Sequence, residues 1–241
     1  MERILILFIE MFSFLIKLID SVVWPALIVV TIWIVFFINL RYQLGLNSYG
    51  LHPRNMEDWY GIFTMIFLHG NFDHLLSNSV PLLLSMGFIF INFNKERFSI
   101  ILLNAIFTGI FLFFIGQQGT NHIGASGLVY ALIFFVVTHS FLTRNKEMLA
   151  ASFTLIFLYG SLIYGLFPDF GKLIGKNISW EGHLSGAVSG ILFGILYRKK
   201  GPQNEPPIDD EFDDFDDDYW NFHDDDSDGQ DIQINYTYRE D

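Results

Sequence analysis

The sequence contains no cysteine, and its charges are unevenly distributed along 241 residues. Without cysteine, disulfide bonds, thiolate catalysis and thiolate metal sites are excluded, so any chemistry must use other side chains. Basic residues are almost absent from the C-terminal segment: residues 201–241 hold one Arg against 16 Asp and Glu. Residues 1–200 hold 13 Lys and Arg against 10 Asp and Glu. The net charge of −12 therefore belongs to the C-terminal segment.

Long apolar runs with few charges dominate the rest of the chain, which is 51% hydrophobic and contains 27 Phe. A bilayer crossing needs about 20 apolar residues, and the runs predict six transmembrane helices. Their approximate cores are residues 22–40, 75–93, 99–116, 126–142, 148–167 and 183–197. The expected fold is an all-α membrane protein, a polytopic bundle of six transmembrane helices over residues 22–200. Short spans fit helix ends that open into a water-filled cavity within the protein.

The first 21 residues differ from these runs, because polar side chains recur on one narrow stripe of a helix whose other faces are apolar. The stripe consists of Arg3, Glu10, Ser13, Lys17 and Asp20. We predict an amphipathic, interfacial helix lying on the membrane. A seventh span is the alternative, and Glu10 at its middle disfavours it. A cleaved signal peptide is disfavoured because no small-residue cleavage site follows.

Lys and Arg in the short connections predict the orientation. With the N-terminus inside, the inner set is Arg3, Lys17, Lys95, Arg97, Arg144, Lys146, Arg198, Lys199 and Lys200. The outer set is Arg41, Arg54, Lys172 and Lys176. The excess of inner positive charge places both termini in the cytoplasm.

The tail, residues 201–241, is Pro-rich at first and then strongly acidic, with aromatic residues interspersed. Such a charge without an apolar core predicts disorder. Repulsion from anionic inner-leaflet lipid would keep the tail in the cytoplasm. The two interpretations are a solvated tail and a segment that binds an unidentified basic partner.

Two reactive residues begin separate apolar runs: Ser126 in Gly124-Ala125-Ser126-Gly127, and His183 after Gly182. Polar residues at membrane depth are costly, so they indicate a functional pair. A neutral imidazole can take the serine proton near pH 7, which predicts peptide hydrolysis within the membrane by a Ser126–His183 dyad. The alternative for Ser126 is a small-residue helix contact. Glu181 is expected to face solvent in the loop rather than to complete a triad.

A second polar cluster precedes the second span, in His69-Gly70-Asn71-Phe72-Asp73-His74 and Asn78. His74 and Asn78 are four residues apart on one helix, so both can donate to a single oxygen. This geometry predicts an oxyanion hole, completed by the backbone N–H of Ser126. The histidines and Asp73 also suggest zinc. That hypothesis ranks lower, because a His-Glu-x-x-His spacing is lacking and Asn78 is a poor zinc ligand.

Small and aromatic residues near the dyad complete the predicted site. Gly186 and Gly190 form a Gly-x-x-x-Gly face one turn below His183, which lets two helices approach closely. Gly127 follows Ser126. Tyr130, one turn after Ser126, is predicted to stack on the His183 ring, with routine aromatic packing as the alternative.

These motifs together resemble the rhomboid family of intramembrane serine proteases, over roughly residues 22–197. The matching segments are HGNFDHLLSN, with His69, His74 and Asn78; GASGLVY, with Gly124, Ser126, Gly127 and Tyr130; and GHLSGAVSG, with His183, Gly186 and Gly190. The resemblance implies a Ser126 nucleophile, a His183 base, an oxyanion hole lined by His74 and Asn78, and a stacking Tyr130. It also implies the six-helix bacterial-type core and, with it, the inner membrane of a bacterial cell as the expected location.

By this resemblance, the substrates are other membrane proteins with a helix-destabilised segment near the membrane surface, cut without a cofactor or metal. No nucleic-acid partner is expected. One departure is that Tyr60-Gly61 stands where many members carry Trp-Arg, so the first outer loop is expected to be held differently. His52, His122 and His139 match no catalytic position and are interpreted as loop, loop and helix residues.

Two other functions remain as alternatives. A catalytically inactive relative that binds membrane helices would be expected to lack one of the dyad or oxyanion residues. A transporter would be expected to show internal repeats or charges within its spans, which this sequence does not.

Overall fold

A computed structural model describes residues 2–168 and 179–203 of the chain. Seven α-helices lie in these ranges: α1 Glu2–Tyr42, α2 Gly61–Thr64, α3 Phe72–Asn92, α4 Arg97–Ile115, α5 Ser126–Thr143, α6 Lys146–Tyr159 and α7 Trp180–Leu196. A 3-10 helix, Gly160–Leu166, continues directly from α6. The acidic tail from residue 204 onward, for which disorder is predicted, lies outside the described part of the chain. Lys172 and Lys176 of the predicted outer set also lie outside it.

Four of these helices are long and apolar enough to cross a membrane: α1 over Ile6–Tyr42, α3, α4 and α5. The helix α7 has 17 residues and α6 has 14, so each is shorter than a typical span. The protein is an all-helical, multi-pass membrane protein in the part that the structure describes. The finer prediction of six spans stays a prediction.

The N-terminal segment, residues 1–21, and the first predicted span lie on one helix. The helix α1 runs without a break from Glu2 to Tyr42, through Pro25. The carboxylate of Asp20, on the predicted polar stripe, accepts a hydrogen bond of 3.1 Å from Arg97 at the start of α4. This ion pair ties the middle of α1 to α4. The interfacial position of residues 1–21 stays a prediction.

The helix α5 lies at the centre of the bundle, in contact with α3, α4, α6 and α7, while α1 packs on α3. The sequence of α5 fits this central position, because apolar residues lie on every face of the helix, as expected of a core helix. The packing of α5 against α7 extends along both helices. Glycine permits this: a Cβ on Gly186 would overlap the carbonyl oxygen of Gly127, and a Cβ on Gly190 would overlap that of Ala131.

The first outer loop, residues 43–60, is held by contacts with the end of α4 and with the loop between α4 and α5. Leu51 and His122 exchange both backbone hydrogen bonds, each 2.9 Å long. The guanidinium of Arg54 donates to the carbonyl of Gly116 at 2.9 Å, and Asn121 donates to the carbonyl of Asn47 at 2.7 Å. These contacts hold the loop although the Trp-Arg pair is replaced by Tyr60-Gly61.

The close glycine contact between α5 and α7 predicts that one added methyl group lowers the stability of the fold. Gly190→Ala is expected to destabilise the fold by about 1–3 kcal/mol, because the new methyl group overpacks a tight helix interface. Thermal unfolding in detergent micelles measures the effect. The matched control is Gly160→Ala, since an added Cβ there meets nothing within 4 Å. Equal midpoints for the two variants would contradict the interpretation of a close-packed interface.

Candidate active site

Ser126 and His183 lie together at the same end of α5 and α7. Ser126 is the first residue of α5 and is partly exposed, whereas the His183 side chain lies in the first turn of α7 and is only 9% exposed. The distance from Ser126 Oγ to His183 Nε2 is 3.0 Å, within hydrogen-bond reach. The glycine-lined packing of α5 on α7 brings the two side chains to this distance.

The tautomer of His183 follows from its second contact. Its Nδ1 lies 3.0 Å from the carbonyl oxygen of Gly165, which can only accept a hydrogen bond. The Nδ1 therefore carries a proton and donates it to Gly165, so in the neutral ring Nε2 presents a lone pair to the Ser126 hydroxyl. In this arrangement a backbone carbonyl orients the base, the task that a carboxylate performs in a Ser-His-Asp triad.

Tyr130 packs face to face on His183. The two ring centroids are 4.2 Å apart and the planes differ by 10°, and Tyr130 is 1% exposed. A Cβ on Gly165 would overlap the Tyr130 hydroxyl and approach His183 Nδ1. The imidazole is thus confined between the tyrosine ring and the Gly165 backbone, which limits its rotation.

His69, His74 and Asn78 lie beside the loop that precedes Ser126. The Nδ2 of Asn78 is 3.2 Å from His69 Nε2 and 3.1 Å from the carbonyl oxygen of His74, and the backbone N–H of Ala125 reaches His69 Nε2 at 3.4 Å. Because both partners donate, Nε2 of His69 is the acceptor. The amide hydrogens of Asn78 are therefore engaged within the protein in this state.

Gly124 adjoins the same cluster. Its φ is +117°, a conformation that favours glycine, and a Cβ there would meet the His74 ring at 2.6 Å. The backbone before Ser126 can therefore pass directly beside His74 only because Gly124 has no side chain. Asp73, by contrast, is exposed while His69 is buried, so these two residues face different environments.

A family model described as the Rhomboid domain matches residues 56–200, which include every residue of this cluster. The chain belongs to the rhomboid family. The resemblance read from the three motifs is confirmed at the level of the family.

Mycobacterial proteins are among the relatives of this rhomboid-family chain. Proteins of Mycobacterium bovis and Mycobacterium tuberculosis are each 31% identical to it over 179 residues, 69% of this chain and 72% of the relative. A protein of Mycobacterium leprae is 31% identical over 164 residues, 65% of this chain and 63% of the relative. All three are described as uncharacterized proteins, so the similarity to them says nothing about activity.

Two features of the rhomboid site were missed or misplaced by sequence reasoning. The contribution of Gly165 is its backbone carbonyl, which leaves no side-chain signal in a sequence. Glu181 was expected to face solvent in a loop, and this was wrong. It lies in the first turn of α7 and is only 8% exposed, because the helix begins at Trp180 and carries the residue inward.

His69 provides a prediction about charge at the site. Burial, with a smaller contribution from repulsion by His74, lowers the pKa of His69 from 6.5 to about 4. A titration of histidine-labelled protein by NMR, with His69→Gln used to assign the resonance, is expected to show a midpoint near 4. His69 then stays a neutral acceptor for Asn78 throughout the physiological range. A midpoint at the ordinary value would contradict the buried, hydrogen-bonded placement.

Proposed function

We propose that this chain is an intramembrane serine endopeptidase that cleaves transmembrane proteins in or near their membrane segments. The observation that carries the proposal is the 3.0 Å contact between Ser126 Oγ and His183 Nε2. Membership of the rhomboid family and the multi-pass helical fold support it. In this proposal the chain lies in the bacterial inner membrane with both termini in the cytoplasm, and the reaction needs no cofactor.

The first chemical step starts at Ser126. Its hydroxyl attacks the scissile carbonyl carbon while Nε2 of His183 takes the hydroxyl proton, so a C–O bond forms and the carbonyl π electrons move to oxygen. The Nδ1–H bond to the Gly165 carbonyl keeps the lone pair of Nε2 aimed at Ser126. When the intermediate collapses, His183 gives the proton to the leaving amine, and water then hydrolyses the acyl-enzyme by the same route.

The developing oxyanion needs hydrogen-bond donors. Ser126 opens α5, and the first N–H groups of a helix have no intrahelical partner, so its backbone N–H is a suitable donor. Asn78 and His74 supply side-chain donors from the neighbouring α3. Because an oxyanion is a stronger acceptor than a neutral imidazole, an amide hydrogen of Asn78 is expected to leave His69 Nε2 for the intermediate.

The dyad is tested by cleavage of a model transmembrane substrate. Ser126→Ala and His183→Ala should each abolish cleavage, and the double variant should be no worse than either single variant, because the two residues act as one unit. Thr154→Ala is the matched control, since Thr154 is exposed on α6 and its hydroxyl bonds only within its own helix. Proteolysis retained by purified Ser126→Ala protein would overturn the assignment. A folded native chain that cleaves nothing would favour the inactive relative.

The oxyanion donor is tested separately. Asn78→Ala should reduce kcat by about ten- to a thousand-fold with little change in substrate binding, as for other single-donor losses. Steady-state kinetics in detergent measure kcat and KM. A loss that is restored by added zinc would instead favour the metal hypothesis.

A further inference from the structure

His122 connects three segments at the outer end of the bundle. Its backbone pairs with Leu51 of the first outer loop. Its side chain is buried, at 7% exposure, and contacts Thr120 in its own loop and Ser179 immediately before α7. Sequence reasoning treated His122 as a loop histidine without a function, because no short motif links residues 57 positions apart.

The hydrogen bonds around the His122 ring have one consistent direction. The hydroxyl of Thr120 donates to the carbonyl of Gln117 at 2.6 Å, so its oxygen accepts the Nε2–H of His122 at 2.7 Å. The Nδ1 of the neutral ring is then an acceptor, and the Ser179 hydroxyl donates to it at 2.7 Å. Burial lowers the pKa of His122, despite the attraction of Glu181, and so favours this neutral form.

Ser179 carries the connection into α7. It is the N-cap of this helix, and its oxygen accepts the backbone N–H of Gly182 at 3.2 Å. Gly182 directly precedes His183, while His122 lies four residues before Ser126. A single chain of hydrogen bonds, His122 to Ser179 to Gly182, therefore joins the loop that carries the serine to the helix end that carries the histidine.

We propose that His122 is a positioning residue, which fixes the first turn of α7 relative to the Ser126 loop and so holds the dyad at reacting distance. This proposal rests on the proposed protease function. His122 does not touch the reacting atoms. Its effect is on the Ser126–His183 geometry, to which rates are sensitive, since displacements of about 1 Å can cost about a hundred-fold.

Two substitutions separate the Ser179 contact from simple packing. In His122→Asn the side-chain oxygen lies near the position of Nδ1 and can accept from Ser179. In His122→Gln the amide lies near the position of Nε2 and can reach Thr120 instead. His122→Asn is expected to keep most of kcat, whereas His122→Gln and His122→Ala should lose about ten- to a hundred-fold with little change in KM. Equal kcat values for the Asn and Gln variants would overturn the proposal.

Ser179→Ala supplies an independent comparison. It should lower kcat like His122→Ala, and the double variant should lose no more than either single variant, because both remove the same connection. The matched control is His52→Ala, since this outer-loop histidine has its Nδ1 3.2 Å from Asp58 Oδ2 in the same loop, and the variant should keep native kcat. Multiplicative losses in the double variant would overturn the proposal.

A measurement that does not depend on cleavage tests the positioning role of His122 separately from the proposed protease function. In ¹⁵N NMR spectra of histidine-labelled chain, His122 should be the Nε2–H tautomer, and Ser179→Ala should shift its Nδ1 resonance because the hydroxyl donor is lost. An unchanged Nδ1 resonance would overturn the connection even in an inactive protein. If instead the native chain cleaves no substrate while this shift is present, the protease function fails and the connection stands.

Discussion

The close approach of α5 and α7 is the constraint on which the candidate site depends. A serine and a histidine far apart in sequence meet only if two helix backbones nearly touch, and the backbone of Gly127 lies where a Cβ on Gly186 would be. Larger residues at these positions would separate the helices and lengthen the 3.0 Å contact. The stability of the helix pair and the chemistry of its outer end are therefore set by the same glycine face.

The second constraint concerns the orientation of the imidazole without a carboxylate partner. A buried carboxylate beside His183 would carry a desolvation cost that a backbone carbonyl avoids. Gly165 supplies that carbonyl, and the face of Tyr130 blocks rotation of the ring. Glu181 is buried two residues earlier in the same helix, but the Gly165 carbonyl is sufficient to fix this tautomer.

The sequence predicted those parts of the molecule that depend on side-chain identity and helical spacing. The family, the helical membrane fold and the meeting of Ser126, His183 and Tyr130 all follow from short motifs with fixed offsets. The features that the sequence could not predict depend on the path of the backbone. The continuity of α1 through residue 21, the inward direction of Glu181 and the Gly165 carbonyl are set by where helices begin and how loops return. The connection through His122 and Ser179 was missed for the same reason, because each residue is unremarkable in its own segment.

The central claim is that His183 makes Ser126 nucleophilic, and covalent labelling tests it most directly. The native chain in detergent is treated with a fluorophosphonate, and the modified residue is located by peptide mass spectrometry. The account predicts one adduct on the Ser126 hydroxyl, which is lost in folded His183→Ala protein although the serine is still present, because an unactivated hydroxyl is a weak nucleophile. An unlabelled Ser126 in the native chain, or equal labelling of Ser126 in the His183→Ala variant, would contradict it.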